Sequence, residues 1–225
     1  MRRALVLVVF LSLLALPAVR GEGVPEAVII LEAFDGLPDA VSAAAPPRFV
    51  LRRDRRVFVG GSEAIYSGVI EKDEATALER RVETLVKSGL LDAPVAFGGG
   101  SQTRYRLRLP REDDRDVAIT GDPDSAPPAL QGVAALVGEL LRFDHPYLRP
   151  WTPSEYAVSA REGELRGGCR AWLLPLLFES LLAGPQRMPV KDVERWPTGS
   201  SPASVCENGR RYVVTFRPLL PGEQP

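Results

Sequence analysis

Apolar and polar residues alternate with a period of two along much of this chain, and twice give way to stretches where apolar positions recur every three or four residues. The first pattern belongs to half-buried strands and the second to helices that bury one face. Ala27 to Phe34 is a short apolar run bounded by Pro25 and Asp35-Gly36, the length of a buried strand. FVLRRDRRVFV, from Phe49 to Val59, reads as a hairpin that turns across Arg52 to Arg55. Tyr105, Leu107 and Leu109 alternate with Arg104, Arg106 and Arg108, and Val117 and Ile119 answer across the polar turn of residues 111–114. Between these hairpins, Asp73 to Gly89 carries one apolar stripe through Ala77, Leu78, Val82, Leu85 and Val86, with Gly89 as its stop. A second helix is announced by Pro127-Pro128 and runs through Leu130, Val133, Ala134, Val137, Leu140 and Leu141. Gly132 and Gly138 weaken that helix and permit close packing.

The last third adds an alternating strand at Tyr156, Val158 and Ala160, and the apolar segment 171–184, where Pro175 confines any helix to begin around it. It closes with a hairpin around Asn208-Gly209, the dipeptide whose positive dihedrals suit a two-residue turn, with Tyr212, Val214 and Phe216 facing the core. Pro218 ends the strand before an irregular tail. Together these elements predict an α+β fold: a mainly antiparallel sheet built from hairpins, with two main helices on one face. No internal repeat is evident.

The N-terminus changes the picture of where this fold works. Arg2 and Arg3, the apolar run from Ala4 to Leu16, Pro17 and small residues around Gly21 have the layout of a secretory signal peptide, and the run is too short to span a bilayer stably. The expectation is a signal peptide over residues 1–21, cut after Gly21 or Gly23, and a single domain over residues 24–225. An uncleaved anchor is the alternative, and otherwise the membrane is met only transiently, through the signal peptide. Export places Cys169 and Cys206 in oxidising surroundings, so the two readings are a disulfide closing a loop of about 38 residues and two thiols that never meet.

Removing Arg2, Arg3 and Arg20 from the 28 basic residues leaves 25 against 29 acidic ones, a net charge near minus four. That balance argues against nucleic acid, whose binding needs a basic face. Trp196 followed by RRYVVTFRPLLPGE, together with PPRFVLRRDRRVFV, the helix closing in SGLL and HPYLRPWTPSEYAV, resembles a family of exported bacterial proteins of unknown function. Its specific motif is the terminal Arg-Pro-Leu-Leu-Pro-Gly-Glu, Arg217 to Glu223. The chain departs from that resemblance at Arg55, where such proteins put a glycine after the aspartate, and this implies a different geometry for the first hairpin turn. The resemblance implies no activity and no catalytic residue.

Candidate chemistry is sparse. His145 is the single histidine, so any histidine-based mechanism must use it, yet no Gly-x-Ser-x-Gly elbow accompanies it and Ser62 and Ser101 merely follow glycines. One histidine and two cysteines do not make a zinc site, and the carboxylates of residues 112–116 and 122–124 lack the pattern of a helix-loop-helix calcium site, so no metal and no cofactor is expected. Arg104, Arg106 and Arg108 share one strand face, and Arg52, Arg53, Arg55 and Arg56 crowd the first hairpin turn. They form either a patch for an acidic polymer or lipid head groups, or the ordinary charged surface of an exposed sheet. The tail is either an apolar tuck of Leu219 and Leu220, with Arg217 and Glu223 paired nearby, or a docking segment. The functional expectation is a non-enzymatic module of the cell envelope that binds an envelope protein or ligand, with binding candidates Arg104, Arg106, Arg108, His145 and Trp151. The alternative is an exported hydrolase using His145 with nearby carboxylates.

Overall fold

The computed structural model describes residues 26–34, 45–61, 64–99, 103–165, 167–196 and 202–225. The expected signal peptide over residues 1–21, residues 35–44, Ser62 and Ser101 lie outside the described residues. The protein is α+β, with two sheets in place of the one expected. An eight-stranded sheet has the order β5-β7-β6-β1-β2-β3-β4-β8 and a four-stranded sheet the order β10-β9-β12-β11. Every neighbouring pair is antiparallel except β5 with β7.

The first sheet grows from the hairpins the sequence announces. Strand β1 (Ala27–Phe34) lies between β2 (Phe49–Arg52) and β6 (Arg104–Leu109); β3 (Arg56–Gly60) completes the first hairpin and β7 (Arg115–Thr120) the second. Three short strands carry no usable signal in the sequence. Strand β4 (Ile65–Val69) extends the sheet beyond β3, β5 (Val95–Ala96) adds two residues beside β7, and β8 (Arg149–Trp151) forms the far edge, where Pro150 costs no inner ladder bond. Side chains alternate across the sheet. Ile29, Leu31, Phe49, Leu51, Val57, Tyr105 and Leu107 point to one face, whereas Ile30, Val50, Arg52, Phe58, Arg106 and Arg108 belong to the other.

Two helices cover the first of these faces. Helix α1 (Lys72–Lys87) buries Ala75, Leu78, Val82 and Leu85, a stripe shifted slightly from the predicted one because Ala77 faces solvent. Pro128–Leu130 makes a single 3-10 turn that leads into α2 (Gln131–Leu141), which buries Val133, Leu136, Val137 and Leu140. At Gly132 a Cβ would stand 3.1 Å from Leu85 Cδ2, so the weak helix former is what lets α2 approach α1. Both helices share one continuous core with the sheet.

After β8 the chain leaves the first sheet. Pro153 interrupts the extended segment, and β9 (Glu155–Glu162) pairs with β12 (Arg210–Pro218) on one side and β10 (Gln186–Pro189) on the other; β11 (Ala203–Glu207) is the outer neighbour of β12. Helix α3 (Phe178–Ala183) starts three residues after Pro175, because Leu177 is still extended, and α4 (Val190–Val193) is a single turn. Phe178, Trp196, Tyr212, Val214 and Phe216 fill the core of this sheet, with Trp172 edge-on to Phe178 and tilted against Trp196 at centroid distances of 5.6 and 5.5 Å. The disulfide between Cys169 and Cys206 ties the start of this excursion to β11, with the Cα atoms 5.4 Å apart. No helix among the described residues is long and apolar enough to cross a membrane.

Two turns show opposite solutions to one backbone demand. Asn208 and Gly209 adopt φ of 49° and 74°, the primed turn that their identities favour. Arg55 adopts φ of 65°, a left-handed conformation that a glycine would occupy without steric cost. Arg55→Gly is expected to stabilise the protein by about 1 kcal/mol, the steric relief outweighing the added flexibility of the unfolded chain, with a higher urea midpoint. A lower midpoint would assign Arg55 a role beyond the turn. Replacing both Cys169 and Cys206 by serine is expected to cost about 3 to 4 kcal/mol in the same assay, from the loop that the crosslink closes.

Candidate functional site

The face of the first sheet opposite the helices is only partly covered, and what covers it is the end of the chain. After Pro218 the backbone crosses so that Leu219 and Leu220 become 2% and 4% exposed, and Leu220 joins Val50, Phe58 and Ile65 in a small core of its own. Pro221-Gly222 then turns the chain, with Gly222 at φ of 76° and the Glu223 N–H donating to Leu220 O at 2.9 Å, the residue order a type II turn demands. The Glu223 carboxylate closes the turn, accepting from the Leu220 N–H at 3.0 Å through Oε2 and from Arg217 through Oε1. Arg187, which pairs with Glu155, also donates to the Glu223 carbonyl at 2.7 Å. Each residue of the terminal motif therefore has a physical task, and the tail is tucked and not free.

Arg52 holds the tail from the other side. Its side chain lies against the Phe58 ring, the guanidinium carbon 5.0 Å from the centroid, and it donates to Pro221 O. The residue is 7% exposed, its Nε has no hydrogen-bond partner, and it makes no ion pair among the described residues. Burial lowers the Arg52 pKa from its ordinary value, opposed by the nearby charges of Asp54 and Glu223.

Between this tail and strands β1, β2 and β6 lies a cleft of about 620 Å³. Ile30, Val50, Leu220 and Pro46-Pro47 supply apolar lining, and Arg52, Arg106, Arg108 and Arg217 supply positive charge. Three of these arginines already have carboxylates. Arg106 forks onto Asp116, with Nε 2.9 Å from each oxygen, Arg108 reaches Glu32 at 3.2 Å, and Arg217 holds Glu223. These pairs run diagonally between neighbouring strands, since Arg106 lies opposite Glu32 and Arg108 opposite Asp116. The bidentate hydrogen bond from Arg106 holds the Asp116 carboxyl below its ordinary pKa, and the same contact raises that of Arg106.

The five sequence candidates do not form one site. Arg106 and Arg108 line the cleft, and Arg104, exposed on the same strand, makes no ion pair among the described residues. Trp151 packs edge-on against Phe58, 5.4 Å between centroids, beside Leu220 on the tail-covered face. His145 is on the helix-covered side: its Nδ1 accepts the Tyr147 N–H at 3.3 Å, its Nε2 lies 3.2 Å from Glu74 Oε2 in the first turn of α1, and its ring faces Phe143, which packs on Phe49. With Nδ1 accepting, Nε2 is the nitrogen that faces a carboxylate, and that carboxylate is Glu74 and not the adjacent Asp144. His145 thus fastens the end of α2 to the start of α1. The carboxylate cluster of residues 112–116 occupies the β6–β7 turn, and among the described residues no group of three metal-ligating side chains comes together.

Sequence reasoning placed Arg52 in a surface turn and the pairing of Arg217 with Glu223 in a tuck; that these groups meet Arg106 and Arg108 around one cavity was not foreseen. The available signal was Pro221-Gly222, a turn dipeptide that would send the chain back along its own strand. No family model, curated protein or solved structure matches the chain. Deleting residues 219–225 is expected to lower stability by about 3 to 6 kcal/mol, from the loss of two buried leucines. Thermal unfolding checks this, and an unchanged midpoint would show that the tail is held only loosely.

Proposed function

We propose that this protein is an exported, non-enzymatic binding module of the bacterial cell envelope, and that its ligand sits in the cleft between the C-terminal tail and the outer face of the first sheet. The cleft carries this reading. It has the size of a small-molecule site, joins apolar walls to a few convergent charged groups, and lies on a rigid sheet. Among the described residues its lining offers arginines, glutamates, Gln224, Phe34 and aliphatic side chains but no hydroxyl, thiol or imidazole to act as a nucleophile, which favours capture over chemistry. Export is supported by the basic-then-apolar layout of residues 1–21 and by the Cys169–Cys206 disulfide, a bond that persists in oxidising compartments. The terminal motif that carries the resemblance to exported bacterial proteins forms one wall of the cleft.

The test uses the exported protein purified without denaturation. Native mass spectrometry is expected to show the chain lacking about 21 residues, with its cysteines joined and with extra mass that denaturation releases. Ile30→Trp, which fills the cleft, is expected to lack that mass. Equal masses for the two proteins would remove the cleft reading, and a full-length chain with free thiols in the cytosol would remove the export reading.

A further inference from the structure

We infer that the cleft takes an amphiphile with one anionic head, a carboxylate or phosphate, on an aliphatic chain. The inference rests on the binding reading above and names its ligand class. The position of the head follows from Arg52. Among the four cleft arginines, Arg106, Arg108 and Arg217 are matched to Asp116, Glu32 and Glu223, whereas Arg52 has a neutral carbonyl as its hydrogen-bond partner, Pro221 O. It is nonetheless the most buried of the four, 7% exposed, with Nε unpartnered. A buried cation is stable when an anion and a full set of hydrogen bonds compensate its lost hydration; Arg52 feels the charges of Asp54 and Glu223 but pairs with neither among the described residues, and its Nε has no partner, so a negative group in the cleft would complete its compensation.

Two further orphaned atoms border the same cleft. Glu32 Oε2 and Arg108 Nε are buried without partners although their side chains touch through a single bond of 3.2 Å. Arg108 therefore has donor capacity beyond its contact with Glu32, on the wall of the same cleft that Arg52 lines. The tail of the ligand follows from Ile30, Val50, Leu220 and Pro46-Pro47, which give the cleft an aliphatic wall and no aromatic pair suited to clamping a planar ring. An acidic polymer is less well matched, because two of the three strand arginines are already forked or paired to carboxylates and present no free stripe.

Isothermal titration of the exported, disulfide-linked protein with laurate, dodecyl phosphate, dodecanol and acetate tests the inference. Laurate or dodecyl phosphate is expected to bind at least about tenfold more tightly than dodecanol, as befits a charge-assisted hydrogen bond in a dry site. The comparison of those two identifies which head the site prefers. Affinity is expected to rise about three- to fourfold per methylene from octanoate to laurate, with acetate bound weakly. Arg52→Gln is expected to bring the ratio of laurate to dodecanol affinity down to about one, whatever it does to the two affinities together. Because Arg52 also anchors the tail, the head-group comparison on the unaltered protein decides the matter even if that variant misfolds. Equal affinity for laurate and dodecanol, or no binding by either anionic probe, overturns the inference. The cleft reading survives equal affinity if Ile30→Trp abolishes both, and falls with the inference if Ile30→Trp leaves laurate binding intact.

Discussion

Leu220 sits on the outer face of the first sheet against Val50 and Phe58, and for it to do so the chain must leave the second sheet at Pro218, cross to the first, and turn back within four residues. That crossing joins the two sheets. Without it, the apolar patch around Val50 and Phe58 would face water and Arg52 would lose the carbonyl it holds. The polar bonds of the motif work in the same direction. Glu223 satisfies the Leu220 N–H and neutralises Arg217, so the backbone and charge buried by the two leucines are not left unpaired. A short apolar tuck becomes stable because its polar groups are answered locally.

The same constraint creates the cleft. A tail that lay flat over β1, β2 and β6 would fill the outer face; one that turns at Pro221-Gly222 covers the end nearest Phe58 and leaves Ile30, Arg106 and Arg108 beside open volume. The charges around that volume are ordered by the sheet. Diagonal pairing fixes Arg106 and Arg108 against carboxylates of flanking strands, while Arg52, at the end of β2 next to the turn, has its near face against an aromatic ring and its donors toward the tail. Placing one buried cation with an unpartnered Nε at the junction of an apolar wall and a closed turn is a costly arrangement for stability alone. It is a sensible one for holding an anion.

The helix-covered side of the sheet is organised differently. There the core is continuous and apolar, and the single histidine serves as a strut between the two helices through Glu74. The chemistry-bearing residue that the sequence singles out is thus absorbed in packing, while residues that look like ordinary surface charges border the cavity. Burial and pairing, not residue type, separate the two roles.

How much of this was legible depends on range. The hairpins at Arg52–Arg55, residues 111–114 and Asn208-Gly209, the stripes of both helices and the alternation of Arg104, Arg106 and Arg108 are local properties: period, turn chemistry and charge decide them within a dozen residues. Local pattern did not show that Arg55 adopts φ of 65°, a conformation that favours glycine. The short strands β4, β5 and β8 were not legible, because two to five residues carry too little periodicity and each exists only by pairing with a neighbour already in place. Nor could the chain's order show that β9 and β12 build a second sheet, or that Arg52 and Pro221, 169 residues apart, meet across the gap between sheets. The sequence by itself determined the three hairpins, the two main helices, the bias of their faces and the pair of cysteines available to join. Tertiary structure alone decided which faces came together, since long-range contacts depend on how all the elements bury their surface at once.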